Sequence, residues 1–194
     1  MIKYLIATAL VATSACAHTK SSDQTVFFEI LLSLCQQGKA YPGRVVSTDE
    51  ADATFAEETL IAHFRSCSAN EIRIPFHVGE DRSRTWVITP TEAGLRLKHD
   101  HRHEDGLEDT ITQYGGDTLG EGDKGRQEFP ADQFSKDLFL RKGLDVSVDN
   151  VWAVEIDTSV DLFAYELSRP NRFFRVEFDL ANPVDVPPPP WGAE

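Results

Sequence analysis

The chain has 194 residues, a formal charge of −13 and an apolar fraction of 41%. That is the length of one domain, with enough apolar content for a real core. Such acidity repels polyanions, so it excludes nucleic acid as a partner and argues against a role built on phosphate or anionic lipid.

Residues 1–15, MIKYLIATALVATSA, place one lysine before an apolar run from Tyr4 to Val11 and small residues after it. This is the order of a secretory signal, and the run is too short to cross a bilayer, which takes ~20 residues. The segment resembles a bacterial lipoprotein signal, with Ala12, Thr13, Ser14 and Ala15 leading to Cys16. The resemblance implies that Cys16 carries a lipid anchor to the membrane. Ala15-Cys16-Ala17 also fits ordinary cleavage after Ala17, which would leave a soluble periplasmic or secreted protein. By resemblance to bacterial sorting rules, Ala17 points to the outer membrane, facing the periplasm. Residues 16–24 then form a polar tether, 25–186 a single β-rich domain, and 187–194 a proline-rich tail with Trp191 folded back.

Cys16 is lipidated or discarded under either reading, which leaves Cys35 and Cys67. An even pair in an oxidising compartment predicts a disulfide, with two buried thiols as the alternative. Asp23 to Gln37 is the best helix: Phe27, Ile30, Leu31 and Leu34 share one face, Ser22 or Asp23 can cap it, and Gly38 can end it. Strand-like runs follow at Gly43 to Ser47, Thr59 to Arg65, Ile72 to Val78, Thr85 to Thr89, Gly94 to Arg102 and Asp109 to Tyr114. Gly115 to Gly125 holds five glycines and reads as a loop. Ala131 to Leu140 reads as a second helix with Pro130 at its start. Asn150 to Ile156, Asp161 to Leu167 and Arg172 to Leu180 complete the strands. Eight or nine short antiparallel strands with two helices predict a mainly β fold, a meander forming a barrel or strongly curved sheet. This order of elements is similar to calycin-like barrels.

One segment stands apart chemically: Leu95 to Gly106, LRLKHDHRHEDG. On a strand, Leu95, Leu97, His99, His101 and His103 share a face, so the leucines begin in the core and the histidines continue toward a barrel mouth. H-x-H on one strand suits a divalent metal, and His77 or a carboxylate could add ligands. No cofactor is otherwise implied. The same histidines could instead form a polar network with Asp100, Arg102 and Glu104. The cupin pattern is not met, because no histidine follows His103. Arg84 and Trp86 lie on one face of the strand that follows the Gly79 to Ser83 turn, where Arg84 could hold a ligand carboxylate or phosphate. It could as well pair with Glu155, Glu177 or Asp179. On the last strand Phe174, Val176, Phe178 and Leu180 form an apolar face, and Arg175 and Glu177 lie on the other, meeting solvent or lining a polar pocket. GxSxG, HExxH, Walker and GxGxxG patterns are absent from the sequence.

The runs IRIPFHVGEDRSRTW, GLRLKHDHRHEDG, TQYGGDT, RQEFPAD and FRVEFDL resemble a family of uncharacterised secreted proteins of Gram-negative bacteria. The likeness covers roughly Phe27 to Trp191 and implies a single domain without implying an activity. Two functions are therefore expected. The first is an envelope β-barrel module that binds a small ligand or an envelope protein, or serves structurally, with Arg84, Trp86, His99, His101, Arg175 and Glu177 as candidate contacts. The second is a metal-dependent enzyme using His77, His99, His101 and His103.

Overall fold

A computed structural model describes residues 22–193; the expected signal, Cys16 and most of the tether lie outside them. The described chain opens with α1 (Asp23–Cys35), whose Ser22 cap accepts the Thr25 N–H at 3.2 Å. The buried stripe is Phe27, Leu31 and Cys35 with Phe28 beside it, and Ile30 and Leu34 are only partly covered. The strands are β1 (Ala40–Val45), β2 (Leu60–His63), β3 (Ser66–Cys67), β4 (Ile72–Val78), β5 (Asp81–Thr91), β6 (Gly94–His101), β7 (Tyr114–Asp117), β8 (Arg126–Pro130), β9 (Val151–Asp157), β10 (Leu162–Arg169) and β11 (Arg172–Asp179). Between them come α2 (Ala53–Ala56) and α3 (Gln133–Arg141).

These strands form one antiparallel sheet in the order β7-β6-β5-β4-β2-β1-β11-β10-β9-β8, with β3 paired to the start of β4. The sheet curls until its two ends meet. Gly116 of β7 bridges Ala131 just after β8, and the Gly115 carbonyl accepts the Asp132 N–H at 2.9 Å. The Gly115 N–H donates to Ser135 Oγ at 2.7 Å, which ties α3 to the same seam. A β-carbon on Gly116 would lie 1.8 Å from the Pro130 carbonyl oxygen, so only glycine lets the two backbones approach this closely. The result is an antiparallel barrel, nearly closed.

Several expected boundaries change. Gly115 and Gly116 belong to a strand and not to a loop, because their lack of side chains makes the seam. Asp109 to Gln113 is not a strand: it bonds intermittently along β6 and turns at Gln113 (φ 58). Arg126 to Pro130 is a strand the apolar pattern did not reveal, since of its two inward positions, Gln127 and Phe129, the first is polar; Gln127 is fully buried and its NH2 donates to the carbonyls of Glu121 and Asp123. Pro130 therefore ends β8, and Asp132 caps α3 by accepting the Ser135 N–H.

Inside the barrel the alternation of side chains builds an aromatic core. Phe76, Trp86 and Tyr165 stack in sequence, with ring centroids 4.8 and 4.4 Å apart. Helix α1 covers one end. Its Gln24 amide donates to Thr118 Oγ1 at 2.8 Å and to the Gly120 carbonyl, and Cys35 is joined to Cys67 of β3 across a Cα–Cα distance of 5.7 Å. The disulfide predicted from cysteine parity is present. The proline-rich tail lies on the outside: the Trp191 backbone N–H donates to the Arg82 carbonyl, and the Arg82 guanidinium returns a bond to the Pro189 carbonyl.

Candidate functional site

β6 runs from the end covered by α1 to the opposite, open end. Leu95 and Leu97 sit in the core, His99 follows, and His101 reaches the mouth. Register then fixes their neighbours: Trp86 of β5 faces His99, and Arg84 faces His101. The sequence set Arg84 beside Trp86 on one strand face and His99 beside His101 on another; the register brings the two pairs together on the inner wall. They line a cavity of about 280 Å3 at the open end. Trp152, Tyr165 and Tyr114 form more of its wall, and Phe55 of α2 stands over it, 6.3 Å from the parallel ring of Phe76.

The polar groups of this wall are tied together. His99 Nδ1 lies 3.1 Å from the Tyr114 carbonyl, and its Nε2 lies 2.7 Å from the Tyr165 hydroxyl. A carbonyl only accepts, so Nδ1 carries the proton and Nε2 accepts from Tyr165. The Tyr114 ring stacks on His99 at 4.6 Å, and its hydroxyl is 3.1 Å from His101 Nε2. Burial pushes His99 down to about 3, helped by His101 and Lys98 against the bond to Tyr114. Burial and then Arg84 push His101 down to about 4. Burial drives Tyr114 up to about 12 and Tyr165 well above the usual phenol range. At neutral pH the wall is therefore neutral, with no group poised near 7 to move a proton.

Charge enters at the rim as Arg84, Arg169 and Arg172. Arg84 pairs with Asp81 at 2.5 Å and lies over the Phe55 ring. The partners expected for it, Glu155, Glu177 and Asp179, are not the ones it takes. Arg172 pairs with Asp52 and Asp49. Among the described residues, the Arg169 side chain bonds only the Asn150 amide oxygen, at 3.0 Å. Arg169, Arg172, Tyr114, Tyr165 and Trp152 were not legible as site residues. The signal available was the RPNR run: a two-residue Pro170-Asn171 turn sets its flanking arginines opposite each other.

The remaining expected residues lie elsewhere. Arg175 and Glu177 are on the outer face, in a ladder where Arg175 holds Glu155, Glu166 and Glu177, and Arg126 also holds Glu166. His77 is on the outer face of β4, buried, and pushed down to about 4 by burial first and then by His63, Arg82 and Arg65. His103 stands in the turn after β6, its side chain 56% exposed and 3.8 Å from Asp109. The four histidines are thus not brought together, and among the described residues no group of three or more His, Cys, Asp or Glu could hold a metal ion. No protein-family model, curated protein or solved structure significantly matches this chain.

Proposed function

We propose that this is an exported, envelope-associated β-barrel module that binds a small, largely apolar ligand in the open end of the barrel. The observation that carries this reading is the cavity of about 280 Å3 with an aromatic wall and a few convergent polar groups, which is how small-molecule sites are built. Binding is favoured over metal-dependent catalysis because both ring nitrogens of His99 are engaged within the protein and, among the described residues, no three His, Cys, Asp or Glu side chains come together to hold an ion. Export is supported by the signal-like first fifteen residues and by the Cys35–Cys67 bond, a linkage that persists in oxidising compartments. A lipid anchor on Cys16 is part of the same proposal.

The test is calorimetry and native mass spectrometry of untagged mature protein against a library of small apolar compounds, with metal analysis of the same sample. Ligands displaced by a Trp86→Ala substitution support the cavity as the site. A stoichiometric metal that leaves with His99→Ala and His101→Ala would replace this reading with the metal-enzyme one. For the anchor, Cys16→Ser should release the protein from membranes; a mature chain beginning at His18 without lipid would sink that part.

A further inference from the structure

On a chain with 32 acidic and 19 basic side chains, among the described residues no carboxylate lines the cavity, while three guanidiniums do. Two of those three are directly opposed: Arg169 and Arg172 are cross-strand partners at the β10–β11 hairpin. Like charges in that position destabilise a sheet unless a counter-charge intervenes. For Arg172 the counter-charge is internal, Asp49 and Asp52. For Arg84 it is Asp81. For Arg169, among the described residues, there is no carboxylate within ion-pair distance; its bond to Asn150 neutralises nothing. It sits partly buried at the edge of an apolar cavity, with donors of its planar fork left for a second partner.

Resting on the reading of the cavity as a binding site, we propose that its ligand is a small organic carboxylate, whose apolar body fills the space beside Trp86 and Trp152 and whose carboxylate pairs with Arg169. The acidic exterior does not contradict this, because the rim arginines lie next to the entering group whereas the surface acids are screened over about 8 to 10 Å of saline. The neutral imidazoles of His99 and His101 add no second anion-binding charge, so the selectivity falls on the guanidiniums. Arg84 and Arg172, already paired with Asp81 and with Asp49 and Asp52, shape the rim.

The experiment uses matched pairs of probes that differ in charge alone: benzoate and benzamide, 2-naphthoate and 2-naphthamide, octanoate and octanamide. Binding of each is measured by calorimetry at low and high salt on the mature chain. In the pair whose body fits, the carboxylate should bind about tenfold tighter, the worth of one charge-assisted bond, and the advantage should shrink with salt. Arg169→Met should bring the carboxylate to the affinity of its amide, and Arg169→Lys should restore part of the gap. The melting temperature of each variant confirms that it is folded. Equal binding within every pair would overturn the anion inference and leave the cavity standing. A preference that survives in folded Arg169→Met would overturn the role of that residue. Binding of no probe in any pair would count against the cavity as a site at all.

Discussion

The Tyr165 hydroxyl lies 2.7 Å from Nε2 of His99, and the Tyr114 carbonyl holds the other ring nitrogen at 3.1 Å. One tautomer alone satisfies both contacts, with the proton on Nδ1. Tyr165→Phe should remove the donor and leave Nε2 buried without a partner, which costs about 1 to 3 kcal/mol. Urea denaturation measures the loss, and 15N NMR of the imidazole should find an unprotonated Nε2 in the native protein. A protonated Nε2 at neutral pH would refute the assignment.

Acid should unfold the barrel earlier than its carboxylates alone would dictate. His77, His99 and His101 are held down to about 4, about 3 and about 4, against 6.5 for the free side chain. The unfolded chain therefore binds more protons between those values, so stability is complete above about pH 6.5 and falls as pH drops toward 3 to 4. Each histidine contributes a slope of up to about 1.4 kcal/mol per pH unit within that window. Replacing His99 with Gln should flatten the profile even though it weakens the native state at pH 7; an unchanged slope between pH 6.5 and 4 in that variant would contradict the argument.

Gly116 is the tightest point of the seam, where a β-carbon would meet the Pro130 carbonyl oxygen at 1.8 Å. Gly116→Ala must push β7 away from β8. A loss of about 3 kcal/mol or more is expected, at the upper end for overpacking. Hydrogen exchange should show the change concentrated in β7, β8 and the start of α3. A variant with wild-type stability would mean that the seam is not a structural closure.

Reduction of Cys35–Cys67, or Cys35→Ser, should cost roughly 3 to 4 kcal/mol by the loop-closure argument for a span of 32 residues. Because α1 is also held by Phe27, Leu31 and Gln24, the reduced protein should keep its barrel and lose protection first in the helix. Guanidinium titrations with and without reductant, followed by exchange mapping, separate these outcomes.

How much of this was legible depended on whether the deciding contacts were local. The histidine strand declared its face because alternation along β6 is a property of consecutive residues, and the disulfide followed from parity and compartment. β8 was hidden because one of its two inward positions is the polar Gln127, whose NH2 donates to the Glu121 and Asp123 carbonyls of the preceding turn, a pairing that apolar periodicity cannot register. The opposed arginines were hidden for a related reason: an RPNR turn becomes meaningful only once the pairing of its flanking strands sets Arg169 opposite Arg172 at the cavity. Arg175 and Glu177 could have lined a pocket or met solvent; closure of the sheet put them outside, where Arg175 pairs with Glu177, Glu155 and Glu166.

The helix that covers one end of the barrel also determines which way the molecule would face if anything held it by its start. Ser22 and Gln24 lie beside Thr118 and Gly120, at the far end from Arg169 and the cavity. A membrane gripping residues before Ser22 would sit under the covered end, with the mouth turned toward the aqueous space. A guest drawn from that same bilayer would first have to leave it and cross water, so such an orientation would select for compounds with appreciable aqueous solubility and against those that reside in lipid.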